Sequence, residues 1–318
     1  MLNLNGFFMN IIIFSGGVGG ARFLYGLKHA NTKQDYQCTV ISNTGDDFYW
    51  YGLKICPDID TVIYHLTEQA GKFGWGIIDD TFNILSNLSV AKLDDWFKIG
   101  DKDLITHLMR SSYLKEGKTL SELTALIAKH YGFPYQILPV TDDECPTFIT
   151  TANEDIVSFQ EYFAKRQFQD EVKSILYPHN EAAKPAPGVI EAIQSADLIV
   201  FPPSNPFLSI EPMLKIPSIK NAIIQSHANK IAISPLINGK AVKGPLSKIL
   251  IELGLQDNVL SIADYYKDLV DTIFIDSSDG QYIEQINNLG ITAEVANILM
   301  IDKNLSPQYT SEILNRII

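Results

Sequence analysis

The sequence predicts an α/β fold built on a parallel sheet. Three features carry that expectation: short apolar runs that read as strands buried on both faces, amphipathic stretches between them, and a cluster of Gly, Asp, Asn, Ser or Pro closing each run. In open sheets of this kind the loops at the carboxyl ends of the strands build the site.

The first strand is expected at 11–14 (IIIF), after a tail, MLNLNGFFMN, that carries no Lys or Arg. That tail lacks the pattern of a secretory leader, and the apolar run after it is too short to span a membrane. Met9 is an alternative start to Met1. Further strands are expected at 38–42, 198–201, 231–234 and 272–275, with crossover helices at 21–29, 187–194 and 245–253. Between 59 and 134 apolar residues recur at helical spacing without strand-like runs (Val62 and Leu66; Leu104 and Leu108; Leu120, Leu123 and Ile127), which reads as a helical insertion. A small strand-rich segment follows at 135–177, with strands expected at 136–139, 147–151 and 156–159. The α/β core is thus expected from 10–58 and 178–318.

The chain has 318 residues, 25 Lys+Arg and 37 Asp+Glu, a formal charge of −12 that argues against nucleic acid as partner. Hydrophobic residues at 46% and charged residues at 19% suit a packed globular core. The three cysteines, Cys38, Cys56 and Cys145, lack CxxC spacing and read as reduced thiols of a cytosolic protein.

Four loops could carry chemistry. SGGVGGAR (15–22) follows the first strand and opens a helix; Gly16, Gly17, Gly19 and Gly20 let backbone amides approach an anion, and the helix N-terminus adds positive partial charge. It matches neither GxGxxG nor the P-loop pattern, which disfavours a nicotinamide-dependent oxidoreductase. SNTGDD (42–47) and PDIDT (57–61) place four carboxylates within fifteen residues. They suit a hard cation such as magnesium, while Asp58 or Asp60 equally suits capping of the next helix. PPSNP (202–206) fixes Ser204 and Asn205 in one geometry, and PLINGKAVKGP (235–245) offers Lys240 and Lys243. In the insertion, Trp75, Trp96 and Phe97 beside Lys98 could stack a flat ring, though aromatics at such spacing also build cores, and His107 reads first as a structural histidine.

Taken together, these motifs resemble the 2-phospho-L-lactate transferase family of coenzyme F420 biosynthesis. The matching stretches include SGGVGGARFLYGL, SNTGDDFYWYGLKICPDIDTVIYHL, GWGIIDDTFNIL, WFKIGDKDLITHLMRSSYLKEGKTLSELT, LPVTDDECPTFI, APGVIEAIQSADLIVFPPSNPFLSIEPML and SPLINGKAVKGP, in family order between about 11 and 276. The resemblance implies a Rossmann-like core with a helical insertion, a homodimer in the cytoplasm, and a magnesium-dependent transfer. In it, the ribityl hydroxyl of the deazaflavin FO attacks the diphosphate of lactyl-2-diphospho-5′-guanosine or its enolpyruvoyl counterpart, giving coenzyme F420-0 or its dehydro form and GMP. It assigns Gly16, Gly17, Gly19 and Gly20 with Ser204, Asn205 and Lys243 to the donor, Asp46 and Asp60 to magnesium, and Asp60 with Lys98 to FO. Asp60 is also the candidate catalytic base. The rival reading is a non-enzymatic nucleotide-sugar-binding regulator on the same core, which has no need of the aromatic insertion.

Overall fold

The computed structural model describes residues 8–317, so the tail up to residue 7 and the choice between Met1 and Met9 lie outside the described residues. Its centre is one sheet of seven strands: β1 (Met9–Ser15), β2 (Tyr36–Ser42), β3 (Gln136–Pro139), β4 (Leu198–Phe201), β5 (Asn229–Ile233), β6 (Thr272–Ile275) and β7 (Thr292–Val295). All neighbouring pairs run parallel. Their order across the sheet, 3-2-1-4-5-6-7 in this numbering, is the doubly wound order, and it reverses direction between β1 and β4.

Alternation along the strands feeds two cores. Ile12, Phe14, Ile199 and Phe201 face one layer; Ile11, Ile13, Leu198 and Val200 face the other. The second layer holds α1 (Gly17–Lys28) and α2 (Pro57–Leu66). Two helices from further along the chain, α3 (Asn83–Val90) and α4 (Asp103–Lys115), precede α5 (Leu120–Tyr131), which returns to that layer and leads into β3. The helix Ser306–Ile317 packs there too, through Ile313 and Leu314. Helices Val189–Gln194, Pro217–Gln225 and Val259–Tyr266 cover the opposite face.

The stretch between β2 and β3 is therefore one long crossover. Its two ends, α2 and α5, pack on the sheet, and α3 buries none of its side chains. Asp101 ties down the start of α3 by accepting hydrogen bonds from the Asn83 and Ile84 amides at 3.0 and 3.1 Å. The Thr81 hydroxyl, which also donates to Asp101, and then those amide bonds hold its carboxyl down to about 2. Gln136–Pro139, grouped in the sequence with the strand-rich segment, joins the central sheet, because a strand arriving from a crossover helix pairs parallel. The strand-rich segment instead forms a three-stranded antiparallel sheet, Phe148–Thr151 flanked by Ile156–Ser158 and Val172–Leu176. Strand β7 was not expected from the sequence: at the sheet edge, TAEV is only partly buried and lacks a continuous apolar run.

Candidate functional site

The reversal of strand order sends the chain away in opposite directions after β1 and β4, and the crevice this leaves is a cavity of about 540 Å³. Its floor is the glycine turn. Gly17 stands at φ +64°, in the left-handed region, and a Cβ on Gly19 would lie 2.0 Å from the Pro203 carbonyl oxygen. The two switch-point loops thus touch through backbone, and Ser204 Oγ donates to the Gly16 carbonyl at 2.9 Å to fasten them. Gly16, Gly17 and Gly19 line the cavity. Gly20 does not; it is glycine because β1 packs against α1 there, with Ser15 Oγ 2.3 Å from where a Cβ would sit.

The acidic residues converge on Asn43. Its side-chain amide donates to Asp58 Oδ2 at 2.8 Å and to Asp46 Oδ1 at 3.1 Å, while Asp58 Oδ1 accepts from the Gly17 amide at 2.7 Å. Both carboxylates are buried. Burial pushes Asp58 up to about 6, against the pull of its bonds to Asn43 and Gly17. Burial, and then the charges of Asp58 and Asp47, push Asp46 well above the usual carboxylate range. Thr44 Oγ1 and Asp47 Oδ1 are buried nearby with no hydrogen-bond partner among the described residues. Two buried carboxylates brought together around one shared Asn43 amide suit a hard cation that takes its remaining ligands from phosphate and water. Among the described residues no group of three His, Cys, Asp or Glu forms a metal cage.

Asp60 also borders the cavity, but it faces another way. Two residues apart on α2, Asp58 and Asp60 point about 200° from one another around the helix. Asp60 Oδ2 accepts from Arg110 Nη1 at 3.1 Å and its Oδ1 from Arg110 Nη2, with the guanidinium fully buried. His107 lies between Asp60 (Nδ1 to Oδ2, 3.7 Å) and Asp103 (Nε2 to Oδ1, 3.4 Å), and the Tyr64 hydroxyl is 2.7 Å from Asp103 Oδ1. Burial pushes the Asp103 carboxyl up, but His107, Tyr64 and Arg110 outweigh it and hold it below its ordinary value.

Of the other sequence candidates, Ser204 and Asn205 line the cavity yet work mainly within their own loop: the Asn205 side chain accepts from the Phe207 and Leu208 amides. Lys98 is exposed at the rim beside Trp96 and Phe97, and Lys243 lines the wall while its ammonium donates to the Phe73 carbonyl at 3.1 Å. The sequence leaves Asp58 open between ligand and cap, and two residues it does not single out are Arg110, three residues after His107 and so on one helix face with it, and Arg22, which ends the glycine motif itself. The segment Ile298–Ile301, near the C-terminus, also lines the cavity. Cys38, Cys56 and Cys145 are unpaired and buried.

Comparison with known proteins gives this geometry a context. A solved UPF0052-family protein from Bacillus halodurans shares the fold, with a TM-score of 0.61 at 18% identity over 96% of this chain and 99% of that one. A phosphoenolpyruvate transferase from Streptomyces griseus is 38% identical over 300 residues, 92% of this chain and 94% of that protein. A 2-phospho-L-lactate transferase from Methanosarcina mazei is 32% identical over 299 residues, covering 94% and 97%. The reading as a nucleotide-sugar-binding regulator finds no support among these relatives. The family model described as 2-phospho-L-lactate transferase CofD matches residues 11–310. Because that match runs from β1 into the last helix and takes in both loops of the switch point, the chain belongs to the 2-phospho-L-lactate transferase family.

Proposed function

We propose that this chain transfers the phospholactyl or phosphoenolpyruvyl group from its guanosine-diphosphate-activated form to the ribityl hydroxyl of FO, releasing GMP and forming coenzyme F420-0 or dehydro-F420-0. One observation supports this above the others: a single cavity joins an open helix N-terminus, a buried carboxylate pair and an aromatic rim.

The turn backbone around Gly16 and Gly19 receives the diphosphate, with the positive end of α1 behind it and the Gly17 amide held by Asp58. Asp46 and Asp58, more than Asp46 and Asp60, are placed to hold magnesium. When bound, the ion would withdraw charge from the phosphoryl oxygens and neutralise the cluster. Asp60, fixed by Arg110, orients the attacking hydroxyl by accepting its hydrogen bond. Trp96, Phe97 and Lys98 receive the deazaflavin ring at the rim, and Ser204 and Asn205 hold the loop that faces the guanosine. This work is positioning and charge neutralisation, the main contributions in phosphoryl transfer. The reading includes a homodimer in the cytoplasm; no helix among the described residues is long and apolar enough to cross a membrane.

The test is a reaction of purified protein, magnesium, FO and each guanylylated donor, followed by chromatography of products. GMP and F420-0 or dehydro-F420-0 should accumulate together, and chelation of magnesium should stop both. Donor binding without GMP release, whatever the acceptor, would overturn the proposal.

A further inference from the structure

Arg22 stands on α1 one turn beyond the glycine turn. Spaced three and four residues from Gly19 and Val18, it shares their helix face, and all three line the cavity. The guanidinium is half-buried and makes no hydrogen bond or ion pair with any described residue. The carboxylates of the cavity are engaged elsewhere: Asp58 by Gly17 and Asn43, Asp46 by Asn43, Asp60 by Arg110, Asp103 by Tyr64. On the same cavity, Lys243 gives its ammonium to a neutral carbonyl, and burial together with the Arg22 charge holds its pKa below the ordinary value.

Arg22 and Lys243, from separate elements, therefore line one cavity while neither bonds to a carboxylate of the described residues, in a chain of net charge −12. Removing a guanidinium from water without a partner is unfavourable, and a ligand anion would complete it. On the transferase reading the diphosphate is already provided for by the glycine turn and by the magnesium that Asp46 and Asp58 would hold. The remaining anion of the donor is the carboxylate that the lactyl and enolpyruvoyl forms both carry beside the ester oxygen, and a planar guanidinium matches it with two parallel hydrogen bonds.

Building on the transferase reading, we infer that Arg22, assisted by Lys243, is the specificity residue that recognises the carboxylate of the donor's phospho-acid. It reads what the two donors share, so it does not choose between them.

The experiment is calorimetric binding, in magnesium, of lactyl-2-diphospho-5′-guanosine and of the isopropyl ester of guanosine diphosphate, in which a methyl group replaces the carboxylate. Wild-type protein should prefer the carboxylate ligand by about tenfold or more. Arg22→Gln should bind both alike, with its affinity for the isopropyl ester unchanged, and Arg22→Lys should recover part of the preference. Thermal unfolding checks that each variant is folded. An Arg22→Gln protein that loses affinity for both ligands equally would mean that Arg22 holds phosphate, and one that keeps the preference would mean that it holds nothing; either overturns the inference. GMP release by wild type without a carboxylate preference defeats the inference alone, whereas a wild type that binds neither ligand defeats the transferase reading as well.

Discussion

Arg110 decides what Asp60 can do. Fully buried, it meets both carboxylate oxygens, and its own proton is held more tightly than in water: burial opposes the charge, but Asp60 more than offsets it. Replacing Asp60 by Asn leaves a buried guanidinium without its counter-ion, a change that costs about 3–5 kcal/mol. We expect Asp60→Asn to lose that stability in urea unfolding as well as GMP release, and Asp60→Asn with Arg110→Met to regain most of the stability but none of the turnover. A single variant as stable as wild type would remove the ion pair from the account. Short acidic motifs after a strand make four carboxylates legible as candidates for a cation, and the family resemblance singles out Asp46 and Asp60 among them. Their partners were not, since Arg110 lies 50 residues from Asp60 and no spacing rule links them.

At the scale of elements, the glycine turn and α2 carry the argument. The turn is legible from its composition; the reason for each glycine is not. Gly19 is needed because Pro203 presses on it, 184 positions away in the chain. Gly19→Ala should therefore destabilise the protein by about 3 kcal/mol and abolish donor binding. Gly280→Ala, whose Cβ would meet only Val295 Cγ2 at 3.9 Å, should leave stability and binding intact. Thermal melts and the calorimetric assay separate the two, and a Gly19→Ala protein with normal affinity would refute the close contact.

The far end of α2 carries His65, buried, with its Nδ1 donating to the Thr61 carbonyl at 2.9 Å. Burial, with the Arg22, Lys303 and Lys243 charges, lowers its pKa from 6.5 to about 4 despite that bond. The fold thus accepts the neutral ring and the unfolded chain binds the proton more readily. This contribution to stability is complete above pH 6.5 and is lost as the pH falls toward 4, by up to roughly 3 kcal/mol. His65→Gln, which keeps a donor for Thr61, should flatten the loss of stability between those values in urea titrations; an unchanged slope would show that other groups cause it.

Across the whole molecule, the sheet order places the site and the last helix closes the layer over α1. Gly26 on α1 is tight against Ser306 and Thr310, and Ile313 is fully buried in the same core. Ile313→Ala should cost about 2–5 kcal/mol and, by loosening the segment that continues from the cavity-lining Ile298–Ile301, weaken donor binding too. A destabilised variant with full affinity would show that the C-terminal region only supports the fold.

By itself the sequence determined the α/β class, the strands with continuous apolar runs, the loops at their ends and the resemblance that named the chemistry. These are local properties: periodicity, turn residues and short motifs are written in neighbouring positions. Tertiary structure alone decided that β3 joins the main sheet, that Asp58 rather than Asp60 shares the Asn43 amide with Asp46, that Asp60 is bound to Arg110, and that Arg22 has no hydrogen-bond or ion-pair partner among the described residues. Each depends on which distant segments the strand order brings together. At the crevice between β1 and β4, that order sets side chains from opposite ends of the chain on one cavity.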